Sequence, residues 1–214
     1  MRDQRETRRE YRAPELRRED LPADPLVLFQ TWLEEAVTAG VVDATAMSLA
    51  TADSAGAPSV RIVLLKHFDD QGLCWYTDYR SRKGRDLAEN PRAACLFYWR
   101  ELHRQVRVSG AVERLDEPSS SAYFHSRPDD SRFSAAASHQ SAVVDSRATL
   151  EARVAELRRR HPDGDVPRPG AWGGYRLRPR EYEFWQGREH RLHDRFLFSR
   201  PDGSGDWQVA RLQP

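Results

Sequence analysis

The hydrophobic and polar positions of this chain change their period near residue 40 and again near residue 117. Before the first change, apolar side chains recur at the three- and four-residue spacing of a helix with one buried face. They are Phe29, Trp32, Leu33, Ala36 and Val37. Asp24 is a suitable N-cap, Pro25 fits the first helical position and Gly40 can end the helix. The pattern predicts a helix whose apolar face belongs to the core.

Downstream, short apolar runs separated by turn-forming residues predict strands. The predicted strands cover 46–51, 59–67, 73–77, 93–99, 105–115, 172–177, 182–186, 195–199 and 207–212. Segments 53–56, 69–72 and 201–203 contain Asp and Gly and suit hairpin turns. Consecutive hairpins give an antiparallel sheet, and closing it into a barrel removes exposed edges. Residues 117–160 lack strand alternation and predict two or three helices, the last over 146–160.

The same pattern sets the expected domain boundaries. Residues 1–23 mix Arg with Asp and Glu and have little to bury, so we expect a mobile charged arm. Residues 24–214 are expected to form one domain that carries the helical insert at about 117–160. A chain of 214 residues is long enough to bury a real core.

Composition narrows the class of partner. The 34 basic and 33 acidic residues nearly cancel, so no overall field favours nucleic acid or an anionic membrane. Cys74 and Cys95 lie in apolar runs without metal-ligand spacing, which disfavours a disulfide framework or a zinc site and favours a reducing cytoplasm. No apolar run approaches the length of a membrane span, and no secretory signal pattern is present.

The densest candidate chemistry lies in residues 183–195. Phe184 and Trp185 form a flat apolar wall just before a group of four cationic or imidazole side chains. These four are His190, Arg191, His193 and Arg195. The combination suits a planar, phosphorylated anion, whereas the alternative is a solvated, charged turn. A metal site at His190 and His193 is disfavoured, because the sequence shows no second ligand cluster and the arginines would repel a cation.

Lysine is nearly absent from the chain, with 32 of the 34 basic residues being Arg. The two lysines, Lys66 and Lys83, therefore stand out as compact charges that a guanidinium cannot replace. Lys66 follows Arg61 on a predicted strand, and Lys83 lies at a predicted helix start after Ser81, where free backbone N–H groups attract anions. An ordinary strand with charged ends and a plain helix cap remain the structural alternatives.

Tyr123, Arg127 and Ser131 recur every four residues. A continuous helix would place them on one face, although Pro128 is expected to bend it. A phenol, a guanidinium and a hydroxyl together suit a phosphate monoester.

These motifs, taken together, resemble the pyridoxine/pyridoxamine 5′-phosphate oxidase family from about residue 8 to the C-terminus. The resemblance rests on REY at 9–11, LPADPL at 21–26, RIVLLK at 61–66, SRK at 81–83, RQV at 104–106, YFHSRP at 123–128, QS at 140–141 and FWQGREHRLHDR at 184–195. It implies a split β-barrel homodimer that holds FMN at the subunit interface, with residues of both chains in each site.

The resemblance also implies roles for individual residues. The implied FMN contacts are Arg61, Ile62, Val63, Leu64, Leu65, Lys66, Tyr76, Thr77, Arg82, Lys83, Gln105, Gln140, Ser141, Trp185 and Arg195. The implied substrate contacts are Lys66, Tyr123, Arg127, Ser131, Arg191 and His193, with Arg8 and Tyr11 of the arm closing over the pocket. Arg191 and His193 are assigned to the catalytic step; whether His193 takes a proton or only orients the substrate stays open. No metal is implied.

The implied reaction oxidises pyridoxine or pyridoxamine 5′-phosphate to pyridoxal 5′-phosphate by hydride transfer from C4′ to FMN, which dioxygen reoxidises. Two alternatives remain: a related FMN oxidase of secondary metabolism, such as a phenazine-pathway enzyme, and a split-barrel protein that binds flavin without catalysis. The chain departs from the family pattern at residues 135–139 and at Arg188, where Gly is common.

Overall fold

The computed structural model of the protein describes residue 11 and residues 13–200, 203 and 205–214. The first helix, α1, spans Pro25–Thr38. The side chain of Asp24 accepts a hydrogen bond from the backbone N–H of Leu26 at 2.9 Å, which satisfies one of the free donors at the helix start. Phe29, Trp32 and Ala36 are buried on one face. The sequence prediction for this helix is confirmed.

Nine strands in the described residues form one antiparallel sheet. They are β1 (Ala46–Ala52), β2 (Pro58–Leu64), β3 (His67–Asp69), β4 (Gly72–Asp78), β5 (Arg92–Trp99), β6 (Arg104–Arg114), β7 (Trp172–Gln186), β8 (Asp194–Ser199) and β9 (Gln208–Arg211). The order is β2-β1-β5-β6-β7-β4-β3, and β8 pairs with β7 and β9. Strand β7 is central, because it pairs with β6 on one side and with β4 and then β8 on the other.

Two strand predictions were wrong in their boundaries. The run 59–67 is two strands, because the Leu65 N–H donates to Thr45 O at 2.9 Å whereas the Lys66 N–H donates to Cys74 O at 2.9 Å. Arg61 and Lys66 therefore do not share a strand. The runs 172–177 and 182–186 are parts of the single strand β7, which continues through Pro179 where the β6–β7 register shifts.

The part of the chain that the structure describes contains four further α-helices: α2 (Arg82–Glu89), α3 (Glu117–Ser126), α4 (Asp129–Ala137) and α5 (Arg147–Arg160). The last three form the predicted helical insert. A continuous helix through Tyr123 and Ser131 does not exist, because α3 ends at Ser126 and Pro128 separates it from α4.

The main core lies between α1 and the inner face of the sheet and is rich in aromatic rings. Phe29, Phe97, Phe184 and Phe198 are fully buried there. A smaller cluster beneath the helical insert contains Phe124, Phe133, Val166 and Trp172. Cys74 and Cys95 are both buried free thiols, as expected from the sequence.

The outer face of the sheet leaves several large apolar side chains in solvent. Val60 is 69% exposed, Ile62 64% and Tyr98 51%. The segment 201–203, predicted as a turn, has Pro201 and Asp202 outside the described residues. Across the described ranges, every helix is too short or too polar to cross a membrane.

Candidate functional site

A cleft of about 730 Å³ lies between strands β2 and β4 and the helical insert. Eleven of the residues singled out from the sequence line it. They are Ile62, Val63, Leu64, Lys66, Tyr76, Thr77, Lys83, Tyr123, Arg127, Ser131 and Gln140. Segments separated by more than 60 residues in the sequence thus meet in one cleft. If these residues were only solvated surface charges, they would have no reason to gather there.

Lys83 is the buried cation of this cleft. Ser81 caps α2 by accepting the Gly84 N–H at 3.3 Å, and the cap places Lys83 in the first helical turn. Its Nζ donates to Gln140 Oε1 at 2.7 Å and to Thr77 Oγ1 at 3.1 Å. Burial, and then repulsion from Arg61, lowers the pKa of Lys83 to about 8. Among the described residues no carboxylate forms a salt bridge with Lys83, so an anionic ligand is its natural counter-charge.

Arg61 and Arg82 flank Lys83 and share the carboxylate of Asp86. Asp86 is 2% exposed and accepts hydrogen bonds from Thr51 Oγ1 at 2.7 Å and from Arg82 Nε at 2.9 Å. The Arg61 Nη2 lies 3.8 Å from the same carboxylate. Burial disfavours the charged carboxylate, but these hydrogen bonds outweigh it and lower the pKa of Asp86. Asp86 therefore fixes the positions of both arginines.

A stack of aromatic rings supports the second group of polar side chains in the cleft. The rings of Tyr76 and Tyr123 stack with centroids 3.9 Å apart, and Trp172 lies nearly parallel to both. The Arg127 guanidinium lies 4.8 Å from the centroid of the Trp172 ring. Its Nη1 is buried and has no hydrogen-bond partner among the described residues. Ser131 lines the same part of the cleft, so Arg127 presents an unused donor to any ligand there.

A second cluster lies at the other end of β7. Gln105, Trp185 and Arg195 are directly opposite one another on β6, β7 and β8, and therefore form a row on one face of the sheet. Arg195 donates to Glu183 Oε1 at 2.8 Å. The ring of His193 lies 4.7 Å from the Trp185 ring.

The described part of the N-terminal arm covers this second cluster. The Tyr11 ring makes edge contacts with Trp185, His193 and His103, at centroid distances of 5.7, 5.7 and 5.0 Å. Arg8, which the family resemblance also implies to close over the pocket, lies outside the described residues. The Arg191 side chain is exposed.

Strand β7 separates the two clusters within one chain. Trp172, at the cleft, begins β7 and Trp185 is its second-last residue. Extended backbone rises about 3.3 Å per residue, so a strand of 15 residues reaches up to about 45 Å. The predicted residues therefore form two partial sites. Leu65 belongs to neither, because its side chain packs in the main core.

Sequence reasoning missed several residues that shape these clusters. Trp172 supports Arg127, Asp86 anchors two arginines, and Arg188 donates from its backbone N–H to His193 Nδ1 at 3.0 Å. Asp78 lines the cleft and accepts the Gln140 N–H at 3.3 Å. The Arg188 contact carried no signal in the sequence, because it uses a backbone N–H that every residue except Pro supplies. The other residues depend on partners that are distant in sequence.

Known proteins match nearly the whole chain. Residues 33–161 match the profile of the pyridoxamine 5′-phosphate oxidase family, and residues 172–214 match that of the pyridoxine 5′-phosphate oxidase C-terminal dimerisation region. A pyridoxine/pyridoxamine 5′-phosphate oxidase of Salinibacter ruber is 51% identical over 97% of both chains. The enzyme of the same name from Salmonella paratyphi B is 50% identical over 97% of this chain and 94% of its own.

Solved structures agree with the fold. PhzG of Burkholderia lata, in complex with tetrahydrophenazine-1-carboxylic acid, superposes with a TM-score of 0.88 at 37% identity and covers 94% of this chain and 99% of its own. An FMN-binding protein of Nostoc punctiforme related to pyridoxamine 5′-phosphate oxidase superposes with a TM-score of 0.70 at 18% identity, over 91% of this chain and all of its own. The split-barrel prediction is thereby confirmed, and the chain belongs to the pyridoxamine 5′-phosphate oxidase family.

Proposed function

We propose that this protein oxidises pyridoxine 5′-phosphate and pyridoxamine 5′-phosphate to pyridoxal 5′-phosphate with FMN as cofactor. One observation carries the proposal: a single cleft contains two separate groups of cationic and hydroxyl side chains that suit a phosphate. The first surrounds Lys83 at the start of α2, and the second surrounds Arg127 between α3 and α4. A phosphorylated cofactor and a phosphorylated substrate would need one group each.

The residues of the first group fit the phosphate of FMN. Lys83 is a buried ammonium without a salt bridge to any described carboxylate. Arg82 sits at the N-terminus of α2, where the positive end of the helix dipole favours an anion. The cleft volume of about 730 Å³ lies within the range of cofactor sites. When bound, FMN would accept the hydride and be reoxidised by dioxygen with release of hydrogen peroxide.

The second group would hold the substrate. The Arg127 Nη1, which has no described partner, and the hydroxyls of Tyr123 and Ser131 would donate to the substrate phosphate. Lys66, which is exposed at the rim, would add a further charge. Burial raises the pKa of Tyr76 to about 12 and also raises that of Tyr123, so both phenols stay protonated donors at neutral pH. Fixing the phosphate orients the ring and so places C4′ for hydride transfer.

We further propose a homodimer in which each cleft is completed by the second cluster of the partner. The profile match at 172–214 is to a dimerisation region, and it contains Trp185, His193 and Arg195. Strand β7 keeps those residues away from the cleft of their own chain. The exposed apolar strip of Val60, Ile62 and Tyr98 offers the outer sheet face for the contact.

The arm would then act as a lid. Tyr11 already contacts Trp185 and His193, so its movement would open or cover that half of the site. We place the reaction in the cytoplasm, a proposal supported by the two buried free thiols.

Anaerobic mixing of the FMN-loaded protein with pyridoxine 5′-phosphate tests the function. We expect the visible flavin band to bleach, to return when air is admitted, and pyridoxal 5′-phosphate to accumulate. Bleaching by dithionite but by neither phosphorylated substrate would overturn the substrate assignment and favour a PhzG-like oxidase. Failure to retain FMN at all would favour a protein without this catalysis. Unphosphorylated pyridoxine is the matched control and should react far more slowly.

A further inference from the structure

A hydrogen bond from the backbone determines which ring nitrogen of His193 carries the proton. The Arg188 N–H donates to His193 Nδ1 at 3.0 Å. A backbone N–H can only donate, so Nδ1 must present a lone pair. The neutral imidazole has a single ring proton, which must then lie on Nε2.

The turn that makes this hydrogen bond is held from both sides. The Arg188 Nη1 donates to Ala13 O at 2.7 Å, and the Gly187 N–H donates to His103 O at 2.8 Å. His190 and Arg191 have positive φ values of 55° and 63°, a backbone conformation that residues other than Gly rarely adopt. The left-handed pair folds residues 188–193 back on themselves, so that the amide of Arg188 meets the ring.

The charged neighbours of His193 favour its neutral form. Burial, and then repulsion from Arg191, lowers the pKa of His193, while Asp194 acts in the opposite direction. Asp194 is itself engaged, because Arg211 Nη1 donates to it at 2.8 Å and the Leu16 N–H at 3.1 Å. Other described groups near the ring are the Arg188 guanidinium, 3.8 Å from Asp194, and the uncharged rings of Trp185 and Tyr11.

We propose that His193 acts on the substrate as a hydrogen-bond donor through Nε2–H and not as a general base. This inference rests on the proposed function and decides the role of His193 within it. A neutral ring with Nδ1 engaged and Nε2 protonated has no lone pair for a substrate proton. Its Nε2–H instead positions a substrate oxygen, and the proton of the oxidised alcohol or amine leaves to water.

Nuclear magnetic resonance reads the tautomer directly. The FMN-loaded protein, labelled with ¹⁵N-histidine, would be compared with His193→Gln to assign the ring. We expect an unprotonated Nδ1 and a protonated Nε2 for His193 at pH 7. The opposite tautomer, or an imidazolium at that pH, would overturn the proposal. Arg188→Gly keeps the backbone N–H and should leave the tautomer unchanged. The readout needs no turnover, so it stays informative if the phosphorylated substrates are not oxidised.

Two variants of equal size separate donor from base. His193→Gln keeps an N–H donor, whereas His193→Glu supplies a carboxylate that can accept a proton and cannot donate one. A donor role predicts that His193→Gln retains kcat/KM within about tenfold of wild type. For His193→Glu it predicts a kcat/KM about 10- to 150-fold lower, which corresponds to the loss of one hydrogen bond to a charged group. A base role predicts the reverse order. Retention of FMN by both variants, measured by absorbance, shows that each has folded, and Glu matching or exceeding Gln would refute the donor role.

Discussion

Replacing Lys83 by Met is expected to stabilise the FMN-free protein while it weakens FMN binding. The Lys83 side chain is 7% exposed. Burial is the main cause that lowers its pKa from 10.5 to about 8. A difference of that size corresponds to a penalty of about 3 kcal/mol for keeping the charged form at neutral pH. Met fills a similar volume without the charge, so the variant escapes this penalty.

Part of the gain is offset by lost hydrogen bonds. The variant removes the donors to Gln140 Oε1 and Thr77 Oγ1, at a cost of about 1–2 kcal/mol. The Thr77 hydroxyl still donates to Gln140 Oε1 at 2.7 Å, so the amide oxygen keeps a partner. The net gain of about 1–2 kcal/mol should raise Tm by about 2–8 °C for a chain of this size.

The assay is thermal unfolding of the FMN-free protein at one fixed concentration and pH 7. Lys66→Met is the matched control, because it replaces the only other lysine and that side chain is exposed. The penalty at Lys83 is fully present below about pH 8. It fades as pH rises towards 10.5, because the folded chain has then lost the proton and the unfolded chain is losing it. The advantage of the variant should therefore shrink across that window.

FMN affinity should move in the opposite direction to stability. Loss of a charge-assisted contact to the phosphate is expected to raise the FMN Kd about 10- to 150-fold, measured by fluorescence titration. In the wild type, Kd should also rise by up to about tenfold per pH unit above about 8, because the free protein has then lost the Lys83 proton. A Tm at or below the wild-type value, with Lys66→Met unchanged, would refute the reasoning.

Four other substitutions probe the remaining parts of the structure. Asp86→Asn should weaken FMN binding about tenfold, because a neutral amide anchors Arg82 less well; unchanged affinity in a fluorescence titration would show that the carboxylate is not needed. Arg127→Gln should raise KM for the phosphorylated substrate about 10- to 150-fold without changing the FMN Kd, by steady-state kinetics. Ile62→Asp should yield a folded monomer with little activity in sedimentation and rate assays, and a stable dimer would contradict the proposed interface. Phe184→Ala should lower the free energy of unfolding by about 3–5 kcal/mol in denaturant titrations, since Phe184 is fully buried.

Elements whose burial pattern is local could be predicted from the sequence. Helix α1 and the positions of most strands follow from apolar spacing alone. The continuity of β7 could not be predicted, because it depends on Gly110 of the neighbouring strand β6. A Cβ at Gly110 would lie 1.9 Å from Arg178 O, so only Gly permits the close approach of the two strands beside Pro179.

The residues of the site also divide into those that the sequence could identify and those that it could not. Lys83 could be singled out because lysine is rare in this chain, and Arg127 because it recurs with Tyr123 and Ser131 at four-residue spacing. Their supports could not, because Thr51 reaches Asp86 across 35 residues and Trp172 lies beneath Arg127 from the far side of the helical insert. The separation of the two clusters along β7 is a property of topology, which no single motif encodes.

The late position of β7 in the chain also matters during synthesis. Its partners β4 and β6 begin at Gly72 and Arg104, whereas β7 begins only at Trp172. At translation rates of about 5–20 residues per second, the stretch between β6 and β7 takes roughly 3–12 s to make. For that time the nascent chain presents unpaired strand edges, which are templates for association with other chains. Ribosome stalling within the helical insert would prolong this exposure and so favour aggregation.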